Sequence, residues 1–416
     1  MRNEQNNIYN FLKKYGCIRL INVLHFRLNK KNRSGGFILK IVIAPDSFKG
    51  SIHSTQAAKI IASAFHSVSS DVETIQKPMA DGGEGTLEAI LNAGNSGKIH
   101  FNCKGPLGEA SSSWYVETGE HTAVIESANI AGLPMVPEEK RNPDKTTTYG
   151  IGEAIKHALN RGKTELIIAI GGSSTNDGGL GMLQALGMRA LDRKGEEVGI
   201  YGEGVLEIES LDFSKLDKRL KKVTIRVASD VDNPLTGSTG ASIIYGPQKG
   251  ATVSQVNSYD QALEYYGRLV EKACGKSIRK HKGAGAAGGL GFAFLSIGGE
   301  IHSGAKLIAD SIGLTESIQI ADVVVTGEGK SDEQTLYGKA PGYIAKLAQQ
   351  YEKPTILISG SQEGSMEKLN QLFVGCFSII PAPMSLHECI THAPDNLYHT
   401  ACQVARLTTL KSFLSD

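Results

Sequence analysis

The segment Ile167-Ile168-Ala169-Ile170 is apolar at every position and runs directly into Gly171-Gly172-Ser173-Ser174-Thr175-Asn176-Asp177-Gly178-Gly179, after which Leu180–Leu186 reads as a helix. A strand with no polar side has no face to give to water. It belongs in a sheet covered on both sides, as parallel sheets with helical crossovers are. The pattern recurs. Ile41–Ala44 ends at Pro45 and gives way to Asp46-Ser47-Phe48-Lys49-Gly50. Residues 54–68 then place Ala57, Ile60, Ile61, Ala64 and Phe65 at helical spacing, with Ser54 as the expected N-cap. Toward the C-terminus, strand Val323–Val325, helix Pro341–Gln349, strand Thr355–Ser359, a helix near Glu367–Leu372 and strand Val374–Ile379 alternate.

These strands fit one doubly wound parallel sheet assembled from the two ends of the chain, with a more strand-rich middle inserted. There, Ser113–Val116 and Thr122–Ile125 suggest a meander. A helix near Thr147–Asn160, extended segments around Arg189–Ile208 and Val223–Ala228, and a long amphipathic helix near Gln255–Ala273 follow. The expected fold class is therefore α/β in two domains: a parallel-sheet domain from residues 39–76 and 300–416, and an inserted mixed α/β domain over 77–299. At 416 residues the chain has room for a core in each.

Residues 1–38 stand apart, carrying eight Lys or Arg against one acid, Glu4. They read as a leader outside the fold, and three origins stay open: a start placed too far upstream, a mitochondrial transit peptide, or a disordered extension. The net charge of +1 gives no electrostatic case for nucleic acid or an anionic membrane. No apolar run approaches the roughly 20 residues of a membrane-spanning helix. Six dispersed cysteines, without a CxxC pair, read as reduced thiols of a cytoplasmic protein.

Glycine is the outlier in composition, 48 of 416 residues, against a typical ~7%. The glycines cluster beside acids and hydroxyls in four loops: Asp46–Gly50, Asp81-Gly82-Gly83-Glu84-Gly85, Asn176–Gly179 and Gly327-Glu328-Gly329-Lys330-Ser331-Asp332. In open α/β sheets ligands bind beyond the carboxyl ends of the strands, and phosphoryl transfer needs cations, donors and a carboxylate for the attacking hydroxyl. Lys49 and Lys330 are candidate phosphate cations, and Ser47, Ser173, Ser174 and Thr175 candidate donors. Asp81, Asp177, Asp230 and Glu328 are candidates for metal or base.

The usual nucleotide fingerprints are weak. Gly329-Lys330-Ser331 has the tail of a phosphate loop without its leading glycine. Gly283-Ala284-Gly285-Ala286-Ala287-Gly288 matches GxGxxG but follows Lys280-His281-Lys282 instead of an apolar strand. It reads either as a loop facing a ligand or the other domain, or as a mobile hinge. Two rivals remain open: a nicotinamide-dependent dehydrogenase resting on that loop, and a non-catalytic sensor of small acids or nucleotides.

Six segments in order resemble the glycerate kinase family, from about Leu39 to the C-terminus. They are Ile41–Ser51, Pro78–Thr86, Ile170–Gly179, Val231-Asp232-Asn233-Pro234-Leu235, Tyr245-Gly246-Pro247-Gln248-Lys249-Gly250 and Thr326–Asp332. Leu39 occupies the place where the family's proteins begin with Met, which favours the upstream-start reading of the leader. The resemblance implies Mg²⁺-dependent transfer of the ATP γ-phosphoryl group to D-glycerate, with 2-phosphoglycerate the favoured product and the site in the cleft between two domains. It implies a cytoplasmic monomer or homodimer without nucleic-acid or membrane partners.

On this reading Asp46, Lys49, Asp81 and Asp177 are catalytic, and Asp177, Asp230, Glu328 and Asp332 hold metal. Ser47, Gly82, Gly83, Glu84, Gly171, Gly172, Ser173, Ser174, Thr175, Asn176, Gly285, Gly288, Gly327, Lys330 and Ser331 bind glycerate or nucleotide. Asp177→Asn is then expected to lower kcat by orders of magnitude with the fold intact.

Overall fold

The computed structural model describes residues 38–94, 96–337 and 339–409. The leader readings, Ile38 apart, and Cys17 lie outside the described residues. The strands are, in chain order, β1 (Leu39–Pro45), β2 (Val72–Gln76), β3 (Ser96–Lys104), β4 (Ala110–Thr118) and β5 (Thr122–Glu126). Then come β6 (Glu165–Ala169), β7 (Arg189–Leu191), β8 (Ser210–Asp212), β9 (Thr224–Ala228) and β10 (Glu300–His302). The last three are β11 (Val323–Ser331), β12 (Thr355–Gln362) and β13 (Gly375–Ser378). Two compact units result: one runs to Ala80 and resumes at Ala309, and the other is Asp81–Ile308.

The first unit is built on a parallel sheet in the order β13-β12-β11-β1-β2, which joins the two ends of the chain as the apolar runs predict. Alternate residues of the buried strands face opposite helical layers. Ile41, Ile43, Val325 and Ile358 share a core with the helices Ser54–Val68 and Ala393–Thr409, whereas Leu357 packs with Ala345 of the helix Ala340–Gln350. Full burial of side chains such as Ile61 and Phe65 contributes about 1.5–3 kcal/mol each. The helix at 54 begins one residue earlier than expected: His53 is the N-cap, in extended conformation, and Ser54 is already helical and buried. The helix Ala393–Thr409, absent from the sequence reading, buries Leu397, Ala401, Cys402, Val404 and Ala405.

The order places the topological switch between β1 and β11, since the chain winds from β1 to β2 on one side and from β11 to β12 on the other. The register sets Pro45 opposite Gly327, so the Asp46–Gly50 loop leaves the end of β1 beside the Gly327 segment, which is not the expected loop but continues β11 through Ser331, paired with β12.

The second unit is built on a sheet in the order β10-β9-β6-β5-β4-β3. Four strands run parallel, and β5-β4-β3 form the predicted antiparallel meander. Ile125, Ile168 and Val227 pack with the helices Tyr149–Asn160, Leu180–Ala185 and Ala286–Ser296. The amphipathic helix Val253–Cys274 starts at a capping box of Thr252 and Gln255 and stops at Gly275, in the left-handed region.

The expected extension over Arg189–Ile208 is not one strand. A turn closed by Gly195 N–H on Asp192 O breaks it; Arg189–Leu191 pairs antiparallel to Ser210–Asp212, and Glu197 bridges back to Leu191. Among the described residues no helix is long and apolar enough to cross a membrane.

Candidate active site

The second unit holds a pocket of about 310 Å³. Its walls come from the Asp81–Gly83 loop, Gly171–Ser173 after β6, Ser229–Val231 after β9, the Tyr245–Lys249 turn, and Ala286 with Ala287. Two of these walls, Gly171–Ser173 and Ser229–Val231, leave the carboxyl ends of the adjacent parallel strands β6 and β9, where ligands bind in open α/β sheets. Gly171 N–H donates to Gly82 O at 2.9 Å, locking two loops edge to edge. A Cβ on Gly171 would stand 2.7 Å from Gly83 Cα, so the residue must be glycine for the loops to meet.

The end of β5 braces both loops. The Glu126 carboxylate, almost fully buried, accepts from Leu87 N–H at 3.1 Å, just past the Asp81 loop, and Ser127 Oγ donates to Gly171 O at 3.4 Å. Burial pushes the Glu126 carboxyl up to about 8, the Leu87 N–H opposing it and Glu88 adding to it.

The segment opened by Gly171 divides in two. Gly171, Gly172 and Ser173 line the pocket. Ser174, Thr175, Asn176 and Asp177 are buried as scaffold: Ser174 Oγ donates to Ala131 O, and Asn176 Nδ2 to Ser242 Oγ. Asp177, with no exposed surface, does not reach the pocket. Its Oδ2 accepts from Thr148 N–H at 3.0 Å, Thr148 Oγ1 at 2.7 Å and Gly181 N–H at 3.2 Å, and its Oδ1 from Gly179 N–H at 3.0 Å. Burial raises its pKa while these donors lower it. The expected catalytic or metal-holding Asp177 thus has its oxygens engaged in fixing the start of the helix Leu180–Ala185.

Charge in the pocket comes from Asp81, Asp230 and Lys249. Asp81 Oδ1 accepts from Gly83 N–H at 3.1 Å, and Asp230 Oδ1 from Gly304 N–H at 3.0 Å. Asp230 is exposed as a residue, yet desolvation by the walls around its carboxyl pushes it up to about 6; Ser303 opposes the shift and Asp81 adds to it. Lys249 is 2% exposed, and desolvation brings its ammonium down to about 7, Asp177 opposing the shift. Its Nζ donates to Ser173 Oγ at 3.0 Å and to Thr175 O at 2.6 Å. The sequence reading missed Lys249 as a site residue, because a lysine in a Pro-Gln-Lys-Gly turn looks like surface charge. The signal was its place in the Tyr245–Gly250 segment that carries the family resemblance.

In the first unit, Asp46 N–H donates to Gly327 O at 2.8 Å, and the Asp46 carboxylate accepts from Ser47 N–H at 2.6 Å. Lys49 is exposed. Glu328 is buried and accepts from Ser331 Oγ at 2.9 Å and Thr335 Oγ1 at 2.7 Å; burial raises its pKa against those bonds. Lys339 Nζ lies 3.4 Å from Asp332 and 3.8 Å from Glu328. Lys330 is exposed and pairs with Glu363.

Seven of the predicted residues therefore share one pocket: Asp81, Gly82, Gly83, Gly171, Gly172, Ser173 and Asp230. Glu84, next to them in sequence, is exposed and outside the lining. Gly285 and Gly288 serve packing. Gly285 N–H donates to Asn233 O, and a Cβ on Gly288, at φ +70°, would stand 2.0 Å from Thr175 O. The same segment faces the pocket through Ala286 and Ala287. Among the described residues no three His, Cys, Asp or Glu side chains form a group that could hold a metal ion.

A family model described as "Glycerate kinase family" matches residues 41–409. The chain is 44% identical over 370 residues to a glycerate kinase of Bacillus subtilis (strain 168), covering 88% of this chain and 97% of that protein. It is 42% identical over 370 residues to the glycerate 2-kinase of Escherichia coli (strain K12), with the same coverage of both chains. A crystal structure from Salmonella typhimurium LT2, described as a candidate glycerate kinase 2, superposes with a TM-score of 0.78 at 41% identity, covering 88% of this chain and 97% of that one. With its six motifs in order and its fold in agreement, the chain belongs to the glycerate kinase family.

Proposed function

We propose that this protein transfers the γ-phosphoryl group of ATP to a hydroxyl of D-glycerate, the 2-hydroxyl favoured, giving 2-phosphoglycerate and ADP. The observation that carries the proposal is one small pocket joining two carboxylates, Asp81 and Asp230, to the buried ammonium of Lys249. An anionic hydroxy acid needs a cation for its charge, and an attacking hydroxyl needs a carboxylate to take its proton. We assign the proton to Asp230. With its carboxyl near 6 it is ionised at neutral pH and still basic enough to accept a proton from a hydroxyl being phosphorylated. Ser173 and the backbone of Gly82, Gly83, Gly171 and Gly172 supply the polar groups that orient oxygens.

The pocket suits a metal that arrives with its substrate. Mg²⁺ binds through one or two carboxylates plus phosphate oxygens and does not require an all-protein cage. Asp81 would hold it beside the nucleotide's phosphates, where it would neutralise their charge. In the first unit we assign Lys49 to phosphate in place of Lys330, which Glu363 already pairs. We place the reaction in the cytoplasm, in a monomer or homodimer.

A coupled ADP-release assay with D-glycerate and ATP–Mg²⁺ tests the reaction, and NMR of the product identifies the phosphorylated oxygen. Turnover with the label on the 2-oxygen supports the proposal. Binding of ATP and glycerate without ADP formation would convert the reading to that of a sensor.

A further inference from the structure

We propose that Lys249 receives the carboxylate of the hydroxy-acid substrate and is thereby the residue that separates an acid from a neutral polyol at this pocket. The assignment rests on the glycerate-phosphorylating reading and adds to it the specificity determinant.

The lysine is 2% exposed and its Nζ makes two hydrogen bonds, to Ser173 Oγ and Thr175 O. An ammonium has three donors, so one is unassigned by these contacts. Among the described residues no carboxylate lies within 4.0 Å of Nζ. A buried charge without a counter-ion is unfavourable, and it is stabilised as soon as an anion fills the space beside it. The acids that act on it are accounted for. Asp177 lies behind it and steadies the ammonium at a distance, but its oxygens already accept four hydrogen bonds. Asp81 and Asp230 line the same pocket, anchored by Gly83 N–H and Gly304 N–H, and Tyr245 is the phenol of that lining.

Size and charge select the anion. A volume of about 310 Å³ admits a three-carbon acid with water. A single ammonium matches the single charge of a carboxylate, whereas a triphosphate brings several. Ser173, held by Lys249 at the pocket wall, adds a hydroxyl next to the bound carboxylate.

Lys249→Met keeps the length of the side chain and removes the charge. Calorimetric titration with D-glycerate alone reads the effect without turnover, so it separates failure of this assignment from failure of the proposed reaction. The expected result is a weakening of glycerate binding by about 10- to 150-fold, the range for one charge-assisted hydrogen bond, with ATP binding within about twofold of wild type. Unchanged glycerate affinity overturns the assignment, as does an equal loss of affinity for ATP. Should Lys249→Met fail to fold, competition on the wild-type protein decides: D-lactate displaces D-glycerate and neutral 1,2-propanediol does not. Equal displacement by both overturns it.

Discussion

Asp177 and Asp230 look alike in the sequence, each an aspartate just beyond an apolar strand, and the fold puts them to opposite uses. Asp177 is sealed from water with four donors on its oxygens, all from the protein's own backbone and Thr148. Asp230 is tethered by Gly304 N–H, is exposed and lines the pocket with Asp81. The difference teaches that a polar motif at a strand end contains two layers. One touches ligand; the other holds the first in place. Within the Gly171–Gly179 segment the boundary falls between Ser173 and Ser174.

The largest effect expected is on Asp230. Replacing it with Asn removes the proton acceptor and disturbs little packing, so kcat should fall by about 10²- to 10⁴-fold with the thermal midpoint nearly unchanged. Steady-state ADP release and a melting curve on the same sample check it. A variant turning over at near the wild-type rate would remove Asp230 from the chemistry. In the wild type, kcat/KM should climb as pH rises through about 6, where Asp230 loses its proton, and the Asn variant should lack that limb.

Asp177→Asn should show the reverse balance. An amide cannot accept all four hydrogen bonds, and a buried donor left without a partner costs about 1–3 kcal/mol. That corresponds to a drop in melting temperature of roughly 2–12 °C. The folded fraction should keep more activity than Asp230→Asn does. This replaces the expectation from sequence alone, that Asp177→Asn spares the fold and stops the chemistry. A stable but inactive Asp177→Asn protein would restore Asp177 to the mechanism.

What the sequence made legible follows from periodicity. Runs such as Ile41–Ala44 and Val323–Val325 can only be interior strands, so the parallel sheet built from both chain ends was readable in advance. The Asp81 and Gly171 loops were readable as site material because clustered glycine and acid are an unusual density of backbone freedom and charge, and Asp230 was readable only as a candidate carboxylate for metal or base. Lys249 was not, because burial of a lysine is decided by tertiary walls that leave no mark on a turn of Pro247, Gln248 and Lys249. Nor did the sequence distinguish Asp177 from Asp230, since the donors that engage Asp177 include Thr148, far away along the chain.

Glu126 offers a smaller test of the supporting layer. Its folded carboxyl, at about 8, lies above its ordinary unfolded value near 4.3. The folded state therefore binds the proton more tightly. The stabilisation from Glu126 is full below pH ~4 and is lost as pH rises through about 8. Glu126→Gln keeps an acceptor for Leu87 N–H and removes the titration, so melting temperature should depend less steeply on pH between about 5 and 8. An unchanged slope would mean the Asp81 loop is braced by something other than this carboxyl.

The smallest effect belongs to Lys330, the exposed counterpart of Lys249. Both are lysines beside glycine in family-like segments, but one is enclosed and the other points into water toward Glu363. Exposed ion pairs contribute little because salt and water screen them and side-chain entropy opposes them. Lys330→Ala should accordingly leave the melting temperature within about 2 °C of wild type. If the charge at 330 takes no part in holding phosphate, the KM for ATP should stay within about twofold, whereas Lys49→Ala should raise it more. A large rise in KM for ATP from Lys330→Ala would mean that the Glu363 pair opens for the nucleotide. The exposed lysine would then belong with Lys249 among the groups that meet substrate.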